Sequence, residues 1–103
     1  MAKLSIIPAP VFTAPVPMPV PGGEPELVAI TFKHRTADEL AEFVKTRDGK
    51  LDVETFPMMV TGWDFAEDFT PENIALLLQN RPSAGLEAFR VYVAELTKFR
   101  QKN

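Results

Sequence analysis

The sequence predicts an α+β domain, an N-terminal β-hairpin packed on a bundle of about four short helices. Three observations carry that expectation. Proline alternates with other residues between positions 15 and 21, a β-branched run follows at 27–33, and four later segments show helical apolar spacing with recognisable caps. The length of 103 residues suits one small domain. Residues 1–10 are read as a flexible lead and 11–103 as a single folded unit.

The hairpin rests on proline chemistry. Of 10 prolines, seven lie in the first 25 residues, and residues 11–21 read Val-Phe-Thr-Ala-Pro-Val-Pro-Met-Pro-Val-Pro. Successive N–H groups of a strand point to opposite edges, so prolines at every second position remove donors from one edge only. Residues 11–20 therefore suit an edge strand that pairs inward through Val16, Met18 and Val20 while its proline edge refuses a neighbour. A polyproline II linker is the competing reading. Gly22-Gly23-Glu24-Pro25-Glu26 supplies a turn, and residues 27–34, opening Leu-Val-Ala-Ile-Thr-Phe-Lys, supply the partner strand.

The helices follow in order. Thr36 and Glu39 form a capping-box pattern that starts a helix over about 36–48, with Leu40, Phe43 and Val44 on one side and Gly49 at its end. A second helix is expected over about 52–61, starting at Asp52 or Thr55 so that Pro57 falls in its first turn, and ending at Gly62. Trp63 to Phe69 reads as an acidic, aromatic loop in which Trp63 plugs the join between helices. Thr70, Pro71 and Glu72 then cap a third helix over 71–80, with Ile74, Leu77 and Leu78 buried. The last helix, about 83–100, carries the stripe Leu86, Phe89, Val93 and Leu96, flanked by Tyr92 and Phe99.

Composition narrows function. There is no cysteine, hence no disulfide scaffold or thiolate nucleophile, and no apolar run approaches the length of a membrane span. A net charge of −3 argues against a dedicated nucleic-acid binder. Early prolines interrupt the Leu4-Ser5-Ile6-Ile7 run before it reaches signal-peptide length, so the chain is read as cytoplasmic and unprocessed. Charge is uneven: ten carboxylates lie between Asp38 and Glu72, whereas the stretch from Arg81 onward holds five basic residues against Glu87 and Glu95. Intramolecular complementarity and head-to-tail association of copies both fit that polarity.

No constellation of catalytic or ligand-binding residues emerges. His34, the one histidine, has no nucleophile or orienting carboxylate in a recognisable pattern. Asp64, Glu67 and Asp68 lack the spacing of a calcium loop, and Gly22-Gly23 is a turn rather than a phosphate cradle. The expected catalytic, cofactor and metal sites are none. Candidate surface residues for a partner or a second copy are Phe65, Leu86, Phe89, Arg90, Val93, Leu96, Lys98, Phe99 and Arg100. Trp63, Gly62, Thr36, Glu39, Thr70 and Pro71 are assigned structural roles.

An ordered series of short motifs adds to this. It runs Pro17-Met18-Pro19-Val20-Pro21-Gly22-Gly23-Glu24, then Thr31-Phe32-Lys33-His34-Arg35-Thr36 with Glu39-Leu40, then Val60-Thr61-Gly62-Trp63-Asp64. Phe69-Thr70-Pro71-Glu72-Asn73-Ile74 with Leu77-Leu78, Arg81-Pro82, and Ala88-Phe89 through Tyr92 complete it. From about residue 11 to the C-terminus this series resembles the tail assembly chaperones of long-tailed bacteriophages. Arg81 stands where many relatives carry a tyrosine or similar residue. The resemblance implies a non-enzymatic protein that binds the tape measure protein, helps recruit tail tube subunits, and is absent from the finished virion. It also implies a longer frameshifted product that contacts the tube protein, this chain being the short form, with self-association along the partner. A structural tail component, such as a tube or terminator protein, and a small host-directed binding protein are the alternatives.

Overall fold

The computed structural model describes residues 3–98. Strands β1 (Val11–Met18) and β2 (Glu26–Lys33) form the expected antiparallel hairpin, with Val16 opposite Val28 and Met18 opposite Glu26. The His34 N–H donates to Pro10 O at 2.8 Å, which fixes the even-numbered residues of both strands as the hydrogen-bonding set between them. Pro15 and Pro17 therefore fall on the outer edge, where a missing donor costs the ladder nothing. Val20 departs from expectation. The strand ends at Met18, and Val20 O accepts from Gly23 N in a tight turn with Pro21 and Gly22 at its corners. Gly22 has φ +77°, the left-handed value that the third position of a type II turn requires and glycine supplies at least cost.

The same even-numbered residues point their side chains to one face. Ala14, Val16 and Met18 of β1 and Ile30 and Phe32 of β2 are buried. On the opposite face the hydroxyls of Thr13 and Thr31 pair at 3.1 Å. The sheet is thus covered by helices on one side and open on the other.

Four helices follow: α1 (Ala37–Arg47), α2 (Asp52–Met59), α3 (Pro71–Asn80) and α4 (Ala84–Thr97). Caps account for two starts. Thr36 accepts from Glu39 N while Glu39 accepts from Thr36 N, and this bond to the Thr36 backbone holds the Glu39 carboxyl below its ordinary pKa. Thr70 accepts from Asn73 N at 3.1 Å with Pro71 at the first helical position. Thr70→Ala is expected to cost about 0.5–2 kcal/mol, measurable as a lowered urea midpoint with an unchanged slope.

Two expectations for the middle of the chain need correction. Pro57 lies in the second turn of α2, not the first, on its exposed side. Its ring nitrogen removes one helical bond, and the helix ends two residues later at Met59. The segment then becomes a third strand, β3 (Val60–Trp63), antiparallel to β2 on the side away from β1. A register shift opposes Phe32 to Val60 but Thr31 to Gly62, leaving Thr61 as a bulge. The extra residue changes the parity of the strand, so Val60 and Trp63, three apart, both face the helices. A two-residue alternation could not reveal that strand.

The core joins these layers. Phe12, Phe32 and Tyr92 stack with centroids 5.4 and 5.3 Å apart along the series, and Phe43 of α1 meets Tyr92 edge-on at 5.9 Å. Phe56, Met59, Val60, Ile74 and Leu77 fill the other end beneath β2 and β3. At Gly85 an added Cβ would lie 2.8 Å from the Asp52 carboxylate, so a larger residue there would push the Asp52 side chain aside where the starts of α4 and α2 meet.

Candidate functional site

The predicted stripe on α4 is not its core face. Ala84, Gly85, Ala88 and Tyr92 are the buried positions: Ala84, Ala88 and Tyr92 form a row spaced by four, with Gly85 beside it against α2. The row Leu86, Phe89, Val93 and Leu96 lies roughly a quarter turn away at about 100° per residue. Leu86 is 40% exposed, Val93 is half-buried, and Phe89 and Leu96 pack against the rim of the core. The small residues that let the helix approach its neighbours carry little hydrophobic signal.

Charged side chains lie around that row. The Arg47 guanidinium sits 3.9 Å from the centre of the Phe89 ring and 4.0 Å from Asp52, covering one face of Phe89 and tying α1 to α4 and α2. Arg90 pairs with Glu87 at 3.5 Å and Lys98 pairs with Glu95, both on the exposed side. The helix stops at Thr97, three residues short of expectation, and Lys98 closes it in a left-handed conformation at φ +48°. Phe99 and Arg100 lie outside the described residues.

Phe65 belongs to a different region. Its ring meets Trp63 edge-on at 5.1 Å, Phe69 does the same at 5.0 Å, and Phe56 tilts against Trp63 from α2 at 6.2 Å. The Trp63 indole N–H donates to Glu67 O at 2.8 Å, folding the acidic loop back over β3. Trp63, the last residue of β3, thus packs among Phe56, Phe65 and Phe69. Beside it runs a cleft of about 290 Å³ lined by Trp63, Phe65, Glu67, Asn73, Leu76, Leu77, Asn80 and Arg81. Arg81 donates to Pro19 O, so this cation anchors the hairpin end to the end of α3.

Sequence reading missed one polar centre. Arg35 Nη1 donates to Met58 O at 2.7 Å and to the Tyr92 hydroxyl at 2.9 Å, while its guanidinium lies 4.3 Å from the centre of the Phe43 ring. The Tyr92 hydroxyl donates onward to Lys33 O at 2.7 Å. Burial raises the Tyr92 pKa above its ordinary value, with Arg35 opposing the shift. These contacts join β2, α1, α2 and α4 and arrange no nucleophile against a base. Only Thr36 following His34-Arg35 hinted at a junction there.

Among the described residues there is no cluster of three metal-type side chains, and no helix is long and apolar enough to cross a membrane. The geometry on offer is that of apolar rows and a cleft on a small scaffold. A family model described as phage tail assembly chaperone matches residues 1–103, the entire chain. The chain belongs to the phage tail assembly chaperone family. Searches of curated proteins and of solved structures gave no significant match.

Proposed function

We propose that the protein is a non-enzymatic chaperone that binds the tape measure protein and helps bring tail tube subunits to it during tail assembly. In this reading it acts in the cytoplasm of the bacterial host, is absent from the finished virion, and associates with further copies along its partner. A longer frameshifted product of the same gene carries the part that contacts the tube protein.

Beside family membership, the observation that carries the reading is the second apolar row on α4. With Tyr92, Ala88 and Ala84 already spent on the core, Leu86 and Val93 offer anchors at the spacing by which one amphipathic helix receives another. Repeated weak contacts of this kind suit a long helical partner, because linked sites raise effective concentration without tight individual binding.

The test is co-expression of the tagged chain with the tape measure protein of the same phage. Soluble tape measure protein is expected to co-purify, and Leu86→Glu with Val93→Glu is expected to lower recovery about tenfold, the effect of losing roughly 1.4 kcal/mol. Circular dichroism on the variant should match wild type. Tape measure protein that is equally soluble alone and never co-purifies would overturn the reading, and detection of the chain in purified particles by mass spectrometry would overturn its absence from the virion.

A further inference from the structure

We infer that residues Lys3–Ile7 of one copy add as a fourth strand to the open edge of β3 in a second copy, joining the copies head to tail. This deepens the self-association part of the proposed function by naming the segment and the edge.

The donor segment is conspicuous. Leu4, Ile6 and Ile7 are 98, 97 and 76% exposed, three large apolar side chains in five residues that contribute nothing to their own core. The segment carries two β-branched isoleucines, and Pro8 closes it. Exposed apolar strand formers of this kind gain from pairing with an unfilled edge.

The acceptor follows from the hydrogen-bond parity of the sheet. The sheet has two edges, and Pro15 and Pro17 remove two of the four outward donors of the β1 edge. On the other side, odd-numbered residues of β2 face β3: Gly62 stands opposite Thr31, and Asp64 N donates to Ala29 O at 3.0 Å. Gly62 and Asp64 therefore direct their main-chain groups inward, and Trp63 directs its N–H and C=O outward. On that outer side the Val60 N–H is already taken by Phe56 O at the end of α2, and among the described residues no backbone hydrogen bond reaches Trp63 from outside.

An antiparallel strand with Leu4 opposite Trp63 sets Ser5 opposite Gly62, ahead of the Thr61 bulge. It places Leu4 on the helix side beside the cleft lined by Trp63, Phe65, Leu76 and Leu77. Leu76, 51% exposed, gains an apolar neighbour there. The same register sets Lys3 opposite Asp64 and near Glu67, so charge agrees with direction.

The strand must come from another copy. Pro10 is held to β2 by His34, and three interstrand steps, about 14 Å, separate the line of β1 from a position outside β3. The three links from Pro10 back to Ile7 span at most about 11 Å. Donor and acceptor are different surfaces, so the contact is heterologous and propagates into a chain or a ring.

Light scattering on the full chain, from micromolar to millimolar concentration, is expected to show mass rising with concentration, and removal of residues 3–7 is expected to leave a monomer. In the proposed register the Leu4 N–H points to Trp63 and the Ser5 N–H points away, so Leu4→Pro should abolish association while Ser5→Pro retains it. Because the chain has no cysteine, mixing Ser5→Cys protein with Gly62→Cys protein in the presence of oxidised glutathione, which takes up the two electrons, should give a mixed disulfide between copies. Gly62 tolerates the change, since an added Cβ meets Thr31 only at 3.8 Å. A wild-type chain that stays monomeric throughout, or association indifferent to Leu4→Pro and to the deletion, would overturn the inference. Co-purification of the tape measure protein with the deleted chain is read separately, so loss of the strand contact leaves the proposed function testable by itself.

Discussion

Tyr92→Ala is expected to destabilise the protein by about 3–5 kcal/mol, a large share of the roughly 5–15 kcal/mol that holds a small domain together. At about 4–8 °C per kcal/mol the melting temperature should fall by more than about 12 °C. The reason is convergence on one side chain. The ring is fully buried, stacks on Phe32, and receives the edge of Phe43, so its removal leaves a cavity where sheet, α1 and α4 meet. Tyr92→Phe separates ring from hydroxyl: packing is kept, while the bonds to Lys33 O and Arg35 are lost, at about 1–3 kcal/mol.

The hydroxyl also makes stability depend on pH. Burial raises the folded-state pKa above the unfolded value near 10, so the folded protein favours the neutral phenol. That contribution is fully present below about pH 10 and is lost as pH rises through the folded value. Thermal melts across the alkaline range should show this decline in wild type and lack it in Tyr92→Phe. Tyr92 is the sole tyrosine, so ultraviolet titration reads its ionisation directly. A Tyr92 curve identical to that of the urea-unfolded chain would contradict the burial argument.

Arg35→Leu is the second large effect, expected at about 3–5 kcal/mol. Two charge-assisted hydrogen bonds are lost at about 1.5–3 kcal/mol each, and Met58 O and the Tyr92 hydroxyl lose their shared donor. The guanidinium also leaves the face of Phe43. Chemical denaturation provides the measure. Combining Arg35→Leu with Tyr92→Phe should cost less than the sum of the two, because both remove the same bond. Strict additivity would show that the contact contributes nothing.

Much of the architecture was legible from local chemistry. Alternate prolines mark an edge strand because a missing N–H is tolerated on one side only, and Pro15 and Pro17 lie on that side. Thr36 with Glu39, and Thr70 with Pro71, mark helix starts because each supplies a partner for an orphan backbone donor. Val20 and Pro57 show the limit: where an element stops depends on what the next residues pack against.

The surface was less legible for a related reason. Leu86, Phe89, Val93 and Leu96 form the most apolar row of α4, yet Ala84, Gly85, Ala88 and Tyr92 face the core. Close packing selected the small side chains, leaving the larger apolar row at the rim. Likewise, nothing local distinguishes Arg35 from any other exposed cation. Its partners Met58 and Tyr92 are distant in sequence and adjacent only after folding.

Hydrogen-bond chemistry and short-range spacing were thus sufficient for the hairpin, the four helices and the α+β class, since each depends on neighbours a few residues apart. Tertiary structure alone decided the third strand, whose bulge breaks the period of two, and the face that α4 buries. It also decided that one sheet edge stays open while Leu4, Ile6 and Ile7 stay uncovered. Those features depend on which backbones can approach and pair, a relation between distant segments that no local pattern encodes.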